Sequence, residues 1–164
     1  GSAVACGANG FGQCNIPALG GQLRYVQVSA GCDHTVLLRS DGSAVACGGF
    51  WRSEYTNIPA LDGQLSYTHV AAGDYHTVLL RSDGSAVACG DNGAGQCDIP
   101  ALGGQLRYAQ VAAGTYHTVL LRSDGSAVAC GGFWRSEYTN IPALDGQLSY
   151  THVAAGDYHT VLLR

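Results

Sequence analysis

Residues 76–90 read HTVLLRSDGSAVACG, two apolar segments separated by a Ser-Asp-Gly turn at residues 82–84. An Asp-Gly pair between apolar segments is a strong hairpin signal, because these residues tolerate the backbone conformations of a tight turn. The stretch therefore predicts two antiparallel β-strands. In another copy of this stretch, residues 36–38 are apolar at consecutive positions. We therefore expect both faces of the sheet to be covered, as when one sheet stacks on another.

The hairpin belongs to a tandem repeat. The string GSAVACG begins at residues 1, 42, 84 and 125, and each copy continues through IPAL, GQL, a Tyr-containing segment and HTVLLR. Self-similarity at a fixed period of about 40 residues is the signature of a repeat architecture. The sequence predicts one domain over residues 1–164, with repeats at 1–41, 42–83, 84–124 and 125–164.

The composition favours a β-rich fold. Among 164 residues there are 24 Gly and 4 Pro, with 46% hydrophobic and 12% charged residues, which excludes a disordered chain and a coiled coil. A third strand is predicted after Leu23 and at the equivalent positions, where Tyr and Val alternate. A short fourth, outer strand is predicted near Pro17 and its equivalents, since Pro suits the edge of a sheet. No segment has the periodicity of a helix.

Three or four antiparallel strands in about 40 residues are typical of one β-propeller blade. The fold class is therefore predicted to be an all-β propeller with four blades per chain. The repeats resemble the RCC1 (regulator of chromosome condensation) repeat, with which they share a Gly-x-x-His-Thr strand, an Asp-Gly hairpin and an Asn-x-x-Gly-Gln turn. The matching residues in the first copy are Gly31, His34, Thr35, Asp41, Gly42, Asn9, Gly12 and Gln13. The resemblance implies a propeller, although repeats of that family are usually longer and typically close as seven blades.

The first and last segments raise the question of how the ring closes. The strand from Thr160 lacks the hairpin partner that the other repeats supply, and the partner sequence occurs at residues 2–6. An unpaired edge strand invites pairing. Two chains joined head to tail are predicted to form an eight-bladed homodimer, and the alternative is a four-bladed monomer. Eight blades depart less than four from the seven typical of the resembled family.

The repeats alternate between two types. Residues 42–81 and 125–164 are identical, whereas the other two repeats differ from each other at seven positions, such as Phe11 against Ala94. Such near-identity is expected of an idealised or engineered propeller fragment, and equally of a recent natural duplication.

The seven cysteines are predicted to be free thiols. Four of them recur at one strand position, and equivalent positions in neighbouring blades are expected to exceed the Cα separation of about 7 Å that a disulfide tolerates. No Cys-x-x-Cys spacing points to zinc. We expect no metal, no cofactor and a reducing compartment, which is the cytoplasm or nucleus for a natural protein. The recurrent positions are Cys6, Cys47, Cys89 and Cys130.

One histidine recurs in every repeat. A histidine at a fixed strand position is expected to lock one blade to the next by a hydrogen bond. The alternative is a ring of metal or anion ligands around the axis. Asp74 and Asp157 lie two residues before a histidine, but no nucleophile accompanies them, so we predict no enzymatic activity. The recurrent histidines are His34, His76, His117 and His159.

The loop GFWRSEY, present twice, is the candidate site for a protein partner, because Trp, Tyr and Arg are favoured binding anchors. The alternative is that the tryptophans cover the outer part of a blade. The candidate residues are Phe50, Trp51, Arg52 and Tyr55 in one copy, and Phe133, Trp134, Arg135 and Tyr138 in the other.

Charge and hydropathy exclude two partner classes. The net charge is −4 and all eight basic residues are Arg, so a broad basic surface for nucleic acid is not expected. No apolar run approaches the roughly 20 residues that span a bilayer, and no leader is evident, so no membrane contact is expected. The leading functional hypothesis is a non-enzymatic, self-assembling scaffold. A protein-interaction module is the second, and guanine nucleotide exchange on a small GTPase, which only the resemblance implies, is the third.

Overall fold

The structure is a computed structural model that describes residues 1–49, 52–132, 135–146 and 148–164. These residues form four antiparallel sheets, of which three have three strands and the fourth has two. The all-β architecture of four successive blades confirms the predicted fold class. The sheets are β1–β2–β3 (Tyr25–Ala30, His34–Arg39, Ala44–Gly48), β4–β5–β6 (Tyr67–Ala72, His76–Arg81, Ala86–Gly90), β7–β8–β9 (Tyr108–Ala113, His117–Arg122, Ala127–Gly131) and β10–β11 (His152–Ala155, Thr160–Leu163).

The predicted hairpin at residues 76–90 connects β5 to β6, and its equivalents connect β2 to β3 and β8 to β9. Thr35 pairs with Cys47 and Leu38 with Ala44. At the turn, Asp41 Oδ1 accepts hydrogen bonds from the backbone N–H of Ser43 (2.9 Å) and from its hydroxyl (2.7 Å). Gly42 has a φ of 80°, which a residue with a side chain rarely adopts. The Asp-Gly pair therefore acts through both an Asx-type side-chain bond and a left-handed glycine.

Successive sheets stack face to face, and the central strand of each three-stranded sheet is buried on both sides. Val36 and Leu37, which point to opposite faces of β2, are both fully buried. Val36 and Leu38 pack with Tyr67 and Val70 of the next blade. The consecutive apolar residues of the HTVLLR segments thus reflect a strand that lies between two neighbouring sheets.

The predicted fourth, outer strand is absent from the described residues. Pro17 lies in an irregular segment instead, and its carbonyl oxygen accepts a hydrogen bond from the hydroxyl of Tyr25 (2.7 Å). The same Tyr-to-Pro bond recurs in all four repeats, at 2.6–2.8 Å. A side-chain bond thus fastens this segment, where Pro has no N–H to donate to a ladder. The sequence pattern also did not indicate the two 3-10 helices, Ser53–Tyr55 and Ser136–Tyr138.

The N-terminal segment, residues 3–7, has the sequence of β3 but belongs to no sheet. The backbone N–H of Tyr25 donates to the carbonyl oxygen of Gly1 (2.9 Å), just as Tyr67 donates to Gly42 (2.7 Å). Gly42 precedes the third strand of one blade, and Tyr67 begins the next blade. The N-terminal segment therefore lies beside the first blade where the third strand of a preceding blade would lie.

Candidate functional site

A histidine and a threonine connect each blade to the next. The Thr77 hydroxyl donates to the carbonyl oxygen of Tyr55 (2.7 Å), so its oxygen must accept the hydrogen bond that joins it to His34 Nε2 (2.9 Å). His34 therefore carries its proton on Nε2, and its buried Nδ1 has no partner among the described residues. Burial lowers the pKa of His34 to about 4, which keeps the imidazole neutral at pH 7.

The same connection joins the second blade to the third and the third to the fourth. His76 Nε2 lies 2.8 Å from Thr118 Oγ1, and His117 Nε2 lies 3.1 Å from Thr160 Oγ1. We call His34, His76 and His117 the latch histidines of their blades. His159, by contrast, is exposed, and no hydrogen bond of its side chain occurs within the described residues.

The first blade has the acceptor half of a latch without its donor. Thr35 donates to the carbonyl oxygen of Gln13 (2.8 Å), as Thr77 does to that of Tyr55. Within the part of the chain that the structure describes, Thr35 receives no histidine. The two ends of the blade stack therefore carry complementary halves of one connection.

Glutamine strengthens alternate blade interfaces. Gln27 in β1 accepts a hydrogen bond from the N–H of Val70 and donates one to its carbonyl oxygen, both at 3.1 Å. Gln110 binds Val153 of the fourth blade in the same way. His69, at the corresponding position of the second blade, is exposed, and its ring contacts the neighbouring Thr68 hydroxyl instead of the next blade. Two kinds of interface therefore alternate along the chain.

Both end surfaces of the blade stack are apolar. Val28 on the first blade is 58% exposed, whereas its equivalent Val70 is only 3% exposed. On the fourth blade, Val161 and Leu163 are 56% and 58% exposed, although their equivalents in the inner blades are buried. Val4, in the unpaired N-terminal segment, is 93% exposed.

An apolar groove runs between the N-terminal segment and the first blade. It has a volume of about 480 Å³. Residues 3–6 form one wall, and residues 28–31, which include the end of β1, form the other together with Leu37. The groove lies where a preceding sheet would stack on the first blade.

The loops before the latch histidines form a second candidate surface. A cavity of about 390 Å³ spans the first three blades there. Tyr55, Tyr75 and Tyr116 line it, with ring centroids 6.0 and 5.8 Å apart along the row. The remaining lining residues are Phe11, Asp33, Gly49, Arg52 and Asp91.

The residues of the two GFWRSEY loops have different environments. Phe50, Trp51, Phe133 and Trp134 lie outside the described residues. Arg52 and Arg135 are exposed and form ion pairs with Glu54 (3.6 Å) and Glu137 (3.4 Å). Tyr55 is only 4% exposed, and Tyr138 is half-buried against His117, with ring centroids 5.7 Å apart.

The cysteines are all free. Burial raises the pKa of the Cys89 thiol to about 11 and that of Cys130 to about 12. Since the thiolate is the nucleophile and the metal ligand, the raised pKa values disfavour the reactive form of these two cysteines at neutral pH. No group of three metal-ligating side chains occurs within the described residues. Likewise, no helix in this part of the chain is long and apolar enough to cross a membrane.

Sequence comparison matches residues 67–96 and 108–133 to the regulator of chromosome condensation (RCC1) repeat. These two segments are similar to RCC1 repeats. The first matched segment begins at β4 and continues through the β5–β6 hairpin, and its residues 67–81 recur unchanged at 150–164. No curated protein is significantly similar to the chain.

Solved RCC1-type propellers share the fold of this chain. Yeast RCC1 (Prp20), in a complex with Kap60, is 22% identical with a TM-score of 0.71, over 90% of this chain and 43% of that one. Prp20p of Saccharomyces cerevisiae, in a structure reported with its binding to Gsp1p and histones, is 21% identical with a TM-score of 0.72, over 90% and 44%. Human WBSCR16 is 20% identical with a TM-score of 0.70, over 86% and 45%. The chain thus spans under half the length of these proteins.

Proposed function

We propose that this RCC1-repeat chain is a non-enzymatic structural scaffold whose two end surfaces bind each other, so that two copies form a closed eight-bladed ring. The observation that carries the proposal is that Val28, Val161 and Leu163 are exposed at the two ends, while their equivalents at every inner interface are buried. Exposed apolar surface of this kind marks an interaction site. The occupant that fits it is a second copy, because the inner interfaces provide a template.

The template is the apolar cluster between the second and third blades. It contains Val78 and Leu80 of the second blade and Val111 and Leu120 of the third. The residues at the corresponding positions of the fourth and first blades are identical in type. The fourth blade of one copy can therefore stack on the first blade of another as the second stacks on the third. The corresponding residues are Val161, Leu163, Val28 and Leu37.

The N-terminal segment would complete the two-stranded fourth sheet. In the third blade, Leu120 pairs with Val128 and Thr118 with Cys130. Pairing of the N-terminal segment with the fourth sheet of the other copy would add a strand to an exposed sheet edge, and backbone hydrogen bonds would supply the affinity. Val4 would then pack against the cluster of the third and fourth blades, as Val128 does in the preceding cluster. The corresponding register pairs Leu162 of one copy with Val4 of the other, and Thr160 with Cys6.

The polar connection would also be completed. His159 of one copy would donate to Thr35 of the other, as His76 does to Thr118. One contact of the interface between the second and third blades would be lost. There the Thr115 hydroxyl donates to Asp74 (2.7 Å), whereas Cys32 stands at the position of Thr115 in the first blade. The interface also preserves the alternation, since the fourth blade carries His152, the counterpart of His69, rather than a glutamine.

Two observations support the proposed number of blades. The chain superposes on under half of the yeast RCC1 propeller over 90% of its own length. Within the described residues, the N-terminal segment does not pair with β11 of the same chain. Both observations support a ring larger than four blades, and two copies of four blades make eight. Head-to-tail contacts that close in this way give a finite particle.

The test is the mass in solution of the wild type and two variants. We expect the wild type to have twice the 16.9 kDa mass of one chain. Val4→Asp would place a charge in the completed sheet and should give single chains. Val26→Asp is the matched control, because Val26 is 60% exposed and its equivalents are exposed in every blade, so it should remain dimeric. A wild type with the mass of a single chain at micromolar concentration would contradict the proposal.

A protein-interaction module is the second proposal. It is supported by the exposed guanidinium groups of Arg52 and Arg135, one in each GFWRSEY loop, and by the protein partners that the yeast RCC1 structures name, Kap60, Gsp1p and histones. Under this proposal, Trp51→Ala with Trp134→Ala should abolish capture of a partner without changing the thermal unfolding midpoint. Loss of folding would make both tryptophans packing residues. Guanine nucleotide exchange on a small GTPase has only the family resemblance in its favour, and nucleotide release assays would test it.

A further inference from the structure

The cavity lined by Tyr55, Tyr75 and Tyr116 includes equivalent positions of three consecutive blades. Asp33, Tyr75 and Tyr116 each precede the latch histidine of their blade, and all three line the cavity. Tyr55 and Asp91 complete the wall from the segments that follow β3 and β6. A volume of about 390 Å³ lies within the range of small-ligand sites. Every lining residue belongs to one chain, so the cavity exists without a second copy.

The charge of this cavity is negative. Asp33 and Asp91 contribute two carboxylates, and the only lining cation among the described residues, Arg52, is paired with Glu54 at 3.6 Å. The Asp91 carboxylate is held in place, because it accepts hydrogen bonds from Gln96 Nε2 (2.9 Å) and from the backbone N–H of Gly93 (3.3 Å). Asp33 is half-buried, and among the described residues its carboxylate accepts a hydrogen bond only from the Cys32 thiol (3.7 Å). A ligand of positive charge is therefore favoured.

Aromatic rings narrow the class of cation. The tyrosine row and Phe11 supply ring surfaces on which a planar cation can stack. A guanidinium group is planar, weakly hydrated and able to donate two parallel hydrogen bonds to one carboxylate, which an ammonium group cannot do. We propose that this cavity binds a guanidinium group, either of a small guanidine or of an arginine side chain.

The sequence differences between the first and third repeats support a specific site. Only seven positions differ, and three of them supply four of the eight lining residues that the structure describes. The equivalents of Asp33 and Asp91 in the other repeat are Tyr116 and Ala8, so each carboxylate occurs only once. The near-identical repeats therefore differ where the cavity acquires its charge. The four lining residues at differing positions are Phe11, Asp33, Asp91 and Tyr116.

Calorimetric titration with matched probes tests the assignment. Butylguanidine, which has no second cation, represents a free guanidine, and a capped Gly-Arg-Gly peptide represents an arginine on a polypeptide. A capped Gly-citrulline-Gly peptide is the neutral isostere. We expect at least one guanidinium probe to bind with 1:1 stoichiometry per chain and at least ten-fold more tightly than the isostere. The tighter of the two guanidinium probes identifies the source of the group.

Variants locate the binding and separate it from ring assembly. Asp33→Asn and Asp91→Asn, which retain shape and remove charge, should each weaken binding at least ten-fold. Asp62→Asn, in an exposed loop away from the cavity, should leave it unchanged. The measurements are repeated in the Val4→Asp background, where binding should persist in single chains. Equal binding of the citrulline peptide, or binding unaffected by both cavity substitutions, would overturn the assignment whatever the particle mass.

Discussion

His34 Nε2 lies 2.9 Å from Thr77 Oγ1, across the interface between the first and second blades. The threonine hydroxyl is already donating to a backbone carbonyl, so the imidazole must be neutral and protonated on Nε2. A single geometric relationship thus fixes the tautomer of a fully buried titratable group. Each inner interface of the propeller contains this arrangement, and its energetics can be tested directly.

Stability should fall as the pH decreases from about 6.5 to 4. Burial lowers the pKa of His34 and His76 to about 4, from 6.5 in the unfolded chain. The unfolded state therefore binds more protons than the folded state between pH 6.5 and pH 4. The contribution of the two neutral histidines to the free energy of unfolding is fully present above pH 6.5 and is lost as the pH falls towards 4. The expected loss for the pair is on the order of a few kcal/mol. Urea denaturation at pH 7 and pH 5 measures it.

The control for this pH dependence is a variant with both histidines replaced, His34→Gln with His76→Gln. Its slope of unfolding free energy against pH should be shallower than that of the wild type. An unchanged slope would assign the pH dependence to other groups.

Removing the hydroxyl from an inner threonine should cost more than removing it from the first blade. Thr118→Val leaves His76 Nε2 without its acceptor in a buried site, and it also removes a bond to the carbonyl of Gln96. Thr35→Val removes only the equivalent carbonyl bond, to Gln13. The expected difference between the two free energies of unfolding is about 1–3 kcal/mol, the cost of an unsatisfied buried donor. Both measurements use the Val4→Asp background. Equal destabilisation would show that the imidazole contact contributes nothing.

The glycine three residues before the recurrent histidine should tolerate a methyl group only at the end blade. A Cβ at Gly73 would collide with the carbonyl oxygen of Gly114 in the next blade, and the inner glycines all face such a carbonyl. At Gly156 the nearest atoms belong only to the exposed side chain of His159, which can move. Gly73→Ala should therefore lower the thermal midpoint by several degrees, whereas Gly156→Ala should leave the single chain folded.

Gly156→Ala also reports on association. In the proposed ring, its methyl group would meet the carbonyl oxygen of Gly31 in the other copy, so the variant should shift the particle towards the mass of a single chain. A fully dimeric Gly156→Ala variant would be incompatible with a closing interface of the same geometry as the inner ones.

The glutamine bridge should stabilise alternate interfaces only. Gln27→Ala removes two hydrogen bonds to the backbone of Val70 and leaves its N–H and C=O without these partners. The expected cost is about 1–3 kcal/mol in the free energy of unfolding. His69→Ala, at the equivalent exposed position, should change stability by less than about 0.5 kcal/mol. Denaturant titration of the two variants decides between this expectation and a shared role for both positions.

Much of the fold could be predicted because its determinants are local. The Asp-Gly turn, the apolar HTVLLR strand and the repeat period each appear in the sequence without reference to distant residues. The prediction of a fourth strand near Pro17 was wrong. The structure of that segment depends on a residue further along the chain, because the Tyr25 hydroxyl donates a hydrogen bond to the Pro17 carbonyl oxygen. The local sequence pattern does not indicate which backbone groups a side chain will bind by hydrogen bonds.

The candidate sites were less accessible from the sequence for a similar reason. The recurrence of a histidine indicates a structural position, but its threonine partner lies in the next repeat. Asp33 and Tyr116 are in different repeats, yet both line the same cavity once the blades are stacked. The seven differences between the odd repeats were a usable signal, because several of them meet at this cavity once the loops are placed together.

Each three-stranded sheet takes its first two strands from one GSAVACG-headed repeat and its third from the next, and glutamine and histidine alternate at the equivalent position of the first strand. The number of repeats is therefore expected to change in steps of two. Gene segments that add or delete two consecutive repeats would preserve both kinds of junction, whereas an odd number of repeats would bring two like junctions together. Evolution or design could tune the diameter of such a circle only in steps of two blades.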